Sequence, residues 1–159
     1  MIVIYPGSFD PVTKGHMDII ERVSKKFEKV IVAVLVNSEK KTLFTLEERE
    51  KILENEIKSY GLSNVEVERF DGLLVDFARE HNSNIVVRGL RAISDYEYEL
   101  QIAHINSDLY NELETIFLVA KAEYSYISSS VVKEIASYNG DISSFVSKNV
   151  EKEIKKKQD

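Results

Sequence analysis

Short runs of β-branched and aromatic residues alternate along the chain with longer stretches whose apolar positions recur every three or four residues. That alternation predicts parallel β-α-β units rather than a sandwich or a helix bundle. The strands expected are Ile2–Tyr5, Val30–Val36, Val65–Phe70, Ile85–Arg88 and Thr115–Val119. Between them, helical stripes run through Met17, Ile20, Val23 and Phe27, then Ile52, Leu53, Ile57 and Tyr60, then Leu74, Phe77 and Ala78. Each stripe covers one side of a helix and is assigned to the core. The fold class expected is α/β, with five strands in one doubly wound parallel sheet and a single domain over residues 1–159.

Local signals mark where helices begin and end. Thr45 precedes Glu48 by three residues and Ser94 precedes Glu97 by three, so each pair can form a capping box. Gly61, Asn82 to Asn84 and Asn139-Gly140 are helix stops, the last closing a helix that begins near Ser130. Residues 150–159 read as a helix with a frayed, solvated end that carries Lys155 to Lys157.

The chain has 159 residues with 21 Lys+Arg against 27 Asp+Glu, a net charge of -6. This acidic balance argues against broad binding to nucleic acid. With no cysteine, disulfides, thiolate zinc sites and cysteine nucleophiles are ruled out, and a reducing cytoplasm is permitted. The longest apolar run, Val30 to Val36, falls far below the roughly 20 residues of a membrane-spanning helix, so no membrane role is expected. The apolar start lacks the basic region of a signal peptide, and the mature protein is read from Met1.

Doubly wound sheets bind ligands at the carboxyl ends of strands, near the point where strand order reverses. After the first strand comes Tyr5-Pro6-Gly7-Ser8-Phe9-Asp10-Pro11, and Thr13-Lys14-Gly15-His16 then leads into a helix. Gly7 and Gly15 would let backbone approach a ligand, and free amides at a helix start favour an anion. His16 is placed to donate toward a phosphate, against the alternative of a cap to the turn. Asp10, preceding a proline, reads as a turn residue rather than a metal ligand. Neither a Walker loop nor Gly-x-Gly-x-x-Gly is present, so the phosphate grip must be of another kind.

Further along, Tyr126-Ile127-Ser128-Ser129-Ser130-Val131-Val132-Lys133 offers hydroxyls and amides at another helix start. Lys133 there opposes the helix dipole unless an anion is present. Plain capping by one serine is the alternative. In Arg88-Gly89-Leu90-Arg91 the two arginines suit bidentate gripping of phosphate, against pairing with Asp95, Glu97 or Glu99. Lys40 adds a cation after the second strand, unless it is simply an exposed loop lysine.

The Gly-x-Phe-Asp-Pro stretch with Thr13-x-Gly-His16 resembles the first signature of the nucleotidyltransferase superfamily, and Ile127 to Lys133 resembles the second. With Lys40, Phe44 to Arg49, Phe77-Ala78-Arg79 and the block from Arg88 to Glu99, the chain resembles the phosphopantetheine adenylyltransferase family almost end to end. That resemblance implies a Rossmann-like nucleotidyltransferase fold. It also implies transfer of the adenylyl group of ATP to 4'-phosphopantetheine, giving dephospho-coenzyme A and pyrophosphate, in a cytoplasmic homohexamer with feedback inhibition by coenzyme A. His16 would be the transition-state stabiliser, with Lys40, Arg88 and Arg91 the other catalytic residues. Ser8, Lys40, Leu74 and Arg88 would contact phosphopantetheine. ATP would be held by Ser8, Phe9 and His16, by Gly89, Leu90, Arg91 and Glu99, and by Tyr124, Ser125, Tyr126, Ile127, Ser128, Ser129 and Ser130. Mg2+ would neutralise the leaving pyrophosphate. Ser8, Thr42 and Tyr124 stand where the family commonly has Thr, Pro and Trp.

Glycerol-3-phosphate cytidylyltransferases share the first signature but usually carry Arg-Thr-Glu-Gly-Ile-Ser where this chain has Tyr124-Ser125-Tyr126-Ile127-Ser128. Nicotinamide mononucleotide adenylyltransferases usually have His at the position of Thr13. A non-catalytic nucleotide-binding module is a third reading, since fold alone never fixes function. Such a module has no use for a second anion site built from Lys40 and Arg88. Leu73 and Leu74 could line an apolar slot for a pantetheine arm, although core packing of a helix start accounts equally well for one of them.

Overall fold

The computed structural model describes residues 1–36, 42–91 and 93–158. Five parallel strands form one sheet: β1 (Ile2–Gly7), β2 (Lys29–Leu35), β3 (Val65–Phe70), β4 (Ile85–Leu90) and β5 (Glu114–Val119), in the order β3-β2-β1-β4-β5. The helices are α1 (Lys14–Ser24), α2 (Leu46–Ser59), α3 (Leu74–Glu80), α4 (Ile93–Leu109), α5 (Ser129–Ser137) and α6 (Lys148–Gln158), with a short 3-10 turn over Ala122–Tyr124. The α/β doubly wound sheet expected from the sequence is the architecture found. No helix among the described residues is long and apolar enough to cross a membrane.

The chain winds outward from β1 to β3, then crosses back to lay β4 on the other side of β1. Strand order therefore reverses between β1 and β4. β1 pairs with β2 from Ile2↔Lys29 through Gly7↔Val34, but with β4 only at Ile4↔Val86. Beyond that pair the two strands diverge, which opens a gap at their carboxyl ends. The divergence also explains how Pro6 can lie within a central strand, where a missing N–H would normally break the ladder. The Pro6 carbonyl accepts from the Arg88 guanidinium at 2.9 Å, filling the place of a ladder partner on that side. The strand consequently runs to Gly7, two residues past the expected end.

Both faces of the sheet are covered, so its inner strands are apolar on both sides. Val3, Tyr5, Val30, Val32 and Val34 pack with Met17, Ile20 and Val23 of α1, Leu53 and Ile57 of α2, and Val150 and Ile154 of α6. Ile4, Ile31, Ala33 and Val86 pack on the opposite face with Val75, Phe77 and Ala78 of α3 and with Leu113. The Thr45–Glu48 capping box is formed; the Ser94 side chain lies outside the described ones. Gly61, Asn82 and Asn139 adopt the left-handed conformation at φ 66°, 51° and 56°, as expected of helix stops.

Residues 148–158 are helical, but their end is more engaged than a frayed tail. Val150 and Ile154 are buried, and Lys157 pairs with Glu48 at 2.7 Å. The Ser147 hydroxyl donates to the buried Glu56 carboxylate at 2.8 Å, fixing the start of α6 to α2. The lysines occupy the solvent side of a helix whose other side completes the core.

Candidate active site

The gap between β1 and β4 is a cleft of about 230 Å3. Tyr5 and Ile19 line it, together with Ser8, Thr13, Gly15 and His16 of the first loop and α1. Gly89 and Arg91 enter from the end of β4, and Ala120, Tyr124 and Ile127 to Ser130 form the facing wall. Two helices thus point their amino ends at one space. Among the described residues, no hydrogen bond within the chain takes up the Gly15 amide of α1 or the Ser129 and Ser130 amides of α5. Free amides on two positive helix ends make a receptor for a polyanion.

His16 has a fixed tautomer. Its Nδ1 lies 3.0 Å from the Thr13 amide, an obligate donor, so Nδ1 must accept and the ring proton resides on Nε2. Thr13 in turn caps α1 through its hydroxyl, which accepts from the His16 amide at 3.3 Å. The turn cap considered as an alternative role therefore exists, but it occupies only one ring nitrogen. Burial, followed by the positive charges of Arg91 and Arg88, lowers the imidazole pKa to about 4. At neutral pH His16 is an uncharged Nε2–H donor. His16 and Arg91 line the same cleft, and Arg88 reaches the Pro6 carbonyl at the end of β1, so the neutral imidazole and the two guanidinium groups share one rim of the sheet.

Arg88 is held in place by Glu99. Its Nε and one terminal nitrogen donate to the two carboxylate oxygens at 2.6 and 2.5 Å, and the other terminal nitrogen donates to Pro6. A guanidinium carries five N–H groups, so three are engaged and two remain to meet an anion. The pairing weighed from sequence is thus realised with Glu99, yet leaves a directed donor face. Arg91 donates to the Ile127 carbonyl at 3.2 Å, tying the β4 end to the α5 side of the cleft.

The serines divide their work. Ser128 caps α5, accepting from the Val131 amide at 3.1 Å, and the Ser129 hydroxyl donates to the Pro11 carbonyl at 2.7 Å. Ser130 makes no hydrogen bond to the described residues, so its hydroxyl is open to a ligand. Lys133 finds its anion inside the protein: Asp10 accepts from it at 2.9 Å and also from the Leu43 and Phe44 amides. Asp10 is therefore a junction between three segments, in keeping with the turn role expected of it.

Several expected contacts lie off the cleft wall. Phe9 is buried beneath His16, ring edge against ring at 5.1 Å between centroids. Leu90 ends β4 and receives the Ala120 amide, Ser125 caps the 3-10 turn, and Tyr126 projects outward against Phe145. Leu74 packs at the edge of the α3 side of the core, while Leu73 is exposed. Lys40 lies outside the described residues.

The structure adds Arg49, a buried cation whose guanidinium donates to the Ser8 and Leu35 carbonyls at 2.7 and 3.1 Å, clamping the first loop to the end of β2. In the sequence it closes the Phe44 to Arg49 block of the family resemblance, and its spacing of three and four residues from the buried Ile52 and Leu53 places it on the inner side of α2.

Gly7 serves packing rather than ligand approach. A Cβ there would lie 2.9 Å from the tip of the Phe9 ring, which has no room to retreat. Phe9 itself is held at a left-handed φ of 46° between Tyr5 and His16. Gly7→Ala is expected to destabilise the fold by about 1 to 3 kcal/mol through overpacking. Chemical denaturation measures this, and an unchanged midpoint would refute the packing role.

The fold and cleft define a nucleotidyltransferase: the cytidylyltransferase-like family matches residues 4–135. A nicotinic acid mononucleotide adenylyltransferase from Plasmodium falciparum superposes with a TM-score of 0.69 at 17% identity, covering 92% of this chain and 90% of its own, and supports the fold alone. A phosphopantetheine adenylyltransferase from Clostridium perfringens is 50% identical over 97% of this chain and 93% of its own length. One from Finegoldia magna is 53% identical over 98% and 94%. The chain belongs to the phosphopantetheine adenylyltransferase family.

Proposed function

We propose that the protein transfers the adenylyl group of ATP to 4'-phosphopantetheine, releasing pyrophosphate and forming dephospho-coenzyme A. The observation that carries this reading is the meeting of two anion receptors at one strand opening. One is the cradle of His16, Arg91 and two helix amino ends. The other is the Glu99-oriented face of Arg88 beside it.

The chemistry asks little of the protein in proton transfer. The second pKa of a phosphate monoester is about 6, so the acceptor arrives as a dianion near neutral pH and needs no general base. Its oxygen attacks the α-phosphorus in line, a new P–O bond forms, and the bond to the β-phosphate bridging oxygen breaks to release pyrophosphate. The protein supplies alignment and charge stabilisation. Arg88 orients the acceptor phosphate, a role that the family resemblance also gives to Lys40. His16 donates through Nε2 and Arg91 through its guanidinium to the phosphates of ATP. The free amides of Gly15, Ser129 and Ser130 and the Ser130 hydroxyl support the outer phosphates. Tyr124, Ile127 and Ile19 offer an apolar bed for the adenine.

For Mg2+ the described residues offer no cage. Among the described residues no three His, Asp or Glu side chains gather as metal ligands, and the nearby carboxylates of Asp10, Asp18 and Glu99 are each bound to cations. Phosphate oxygens and water suit Mg2+, so the ion is assigned to the ATP it accompanies. Coenzyme A, which shares the pantetheine and adenylyl frame of the product, is proposed to compete for the same cleft, and the cytoplasm is the proposed location.

The decisive assay measures pyrophosphate release with ATP and 4'-phosphopantetheine together and with each omitted. Release that requires both supports the reading; ATP binding without turnover would favour a nucleotide-binding module.

We also assign the protein to a homo-oligomer, the hexamer of the family resemblance. Tyr98, Ile105 and Leu109 on α4 and Ile116 and Val119 on β5 are exposed apolar residues on adjoining elements, and grouped exposed apolar residues mark interaction surfaces. Tyr98→Glu is expected to shift the mass in light scattering toward smaller species, and a wild-type monomer would refute the assignment.

A further inference from the structure

A buried carboxylate beside the cleft has no part in the transfer step. Asp18 lies on α1 two residues beyond His16, its side chain only 3% exposed. It accepts from Lys121 at 2.7 Å and from Arg22 at 3.1 Å. The same Arg22 nitrogen donates to the Val119 carbonyl at 3.0 Å. Lys121 opens the 3-10 turn, its carbonyl accepts from the Tyr124 amide at 2.8 Å, and its ammonium sits 6.0 Å from the Tyr124 ring centre.

These contacts join the two walls of the nucleotide cleft. α1 supplies Gly15, His16 and Ile19 to one wall; the segment after β5 supplies Ala120 and Tyr124 to the other. Asp18 grips that segment on either side of Ala120, through Arg22 at Val119 and through Lys121. Among the described residues, Asp18 is the one carboxylate in this region that is both buried and bound to two cations from different elements. A buried charge is tolerated when paired, and the pairing fixes where its partners stand. Lys121 is half-exposed, and its ammonium pKa is raised by the hydrogen bond to Asp18 and by its charge, so the strut is intact at neutral pH.

We propose that Asp18 and Lys121 are positioning residues for the nucleotide: their ion pair sets the spacing between α1 and the 119–124 segment, and with it the fit of ATP. The inference rests on the adenylyl-transfer reading above. Arg88 and Glu99 lie outside the network, so the acceptor side is unaffected.

The test compares steady-state constants for both substrates with the ATP dissociation constant measured by calorimetry in the absence of acceptor. Lys121→Gln, on a half-exposed residue, is expected to raise the ATP KM and Kd about fivefold to tenfold, with kcat and acceptor KM within about twofold. Lys121→Arg should restore ATP affinity, and Asp18→Asn should weaken it at least as much as Lys121→Gln. ATP constants unchanged in Lys121→Gln would overturn the proposal. So would a fall in melting temperature with both KM values unchanged, the signature of a purely structural pair. Failure of the wild-type protein to release pyrophosphate would instead overturn the reaction assignment, and the calorimetric arm would still decide the role of Lys121 in ATP binding.

Discussion

His16→Ala is expected to lower kcat by about a hundredfold to a thousandfold, the roughly 3 to 4 kcal/mol lost when one donor to a developing oxyanion is removed. The magnitude follows from the state of the ring. Its Nδ1 is committed to Thr13 and its Nε2–H faces the cleft, so the donor is aimed before substrate arrives. Alanine also removes the reciprocal half of the α1 cap, at about 0.5 to 2 kcal/mol of stability. His16→Gln separates the two losses, because a glutamine at this position can accept from the Thr13 amide while placing no rigid donor where Nε2 stands. It should regain stability and remain slow. A His16→Ala enzyme with more than a third of wild-type kcat would remove the assigned role.

The pH dependence tests the same assignment. With its pKa near 4, His16 does not titrate above about pH 5, so the acid limb of kcat/KM near pH 6 belongs to the acceptor phosphate. The limb should therefore stay in place in the slow variant; movement would mean that the histidine proton enters the rate. Stability carries the opposite signature. The folded pKa lies below the ordinary value of about 6.5, so the unfolded chain takes up this proton first as pH falls. The contribution of His16 to stability is accordingly lost from about pH 6.5 downward to about pH 4, and replacement should flatten that part of the curve.

The sheet was legible because buried strands and amphipathic helices write different apolar periods. β3 spans the expected Val65–Phe70, while the reversal between β1 and β4 emerges only from the strand order β3-β2-β1-β4-β5. α4 was visible only at its amino end. Its apolar residues do not gather on one side, and Tyr98, Ile105 and Leu109 point away from the core, so no single stripe marks it. α6 was read as a helix, but its packing was hidden by its composition, because three lysines in its last turn outweigh Val150 and Ile154, the two residues that decide where it packs.

At the site, chemistry-bearing residue types were legible but most of their partners were not, and Glu99 was only one of three carboxylates open to the arginines. Sequence places Arg88 and Glu99 eleven positions apart on different elements, and only the crossing of β4 and α4 makes them a bidentate pair. Ser128 and Ser129 look alike in a run of three, yet one caps a helix and the other reaches Pro11, 118 residues away in sequence. Lys133 and Asp10 are 123 apart, and Asp18 meets Lys121 only because β5 ends beside α1. Long-range pairs of this kind leave no local period. Gly7 was read as ligand-facing for a different reason: its contact with Phe9, two residues on, depends on the left-handed backbone at Phe9, which the residue type does not announce.

Arg88→Ala should give the larger loss on the acceptor side. Truncating one member of a desolvated charge pair costs about 2 to 5 kcal/mol, much of it from the partner left behind. Here that partner is Glu99, 12% exposed and bound by both oxygens to Arg88. Without the guanidinium, its negative charge faces an incoming phosphate dianion, so the variant both loses a donor and gains a repulsion. We expect kcat/KM for 4'-phosphopantetheine to fall at least a hundredfold and toward several thousandfold, while the ATP dissociation constant changes by less than about threefold. Adding Glu99→Gln to Arg88→Ala should recover part of that loss by removing the repulsion. Glu99→Gln alone should weaken acceptor use more mildly, since the guanidinium remains but is less firmly aimed. If Arg88→Ala left the acceptor KM within twofold, Arg88 could not be the group that orients the nucleophile. If the double variant were no better than the single, the stranded carboxylate would play no part, and the deficit would lie wholly in the missing donors.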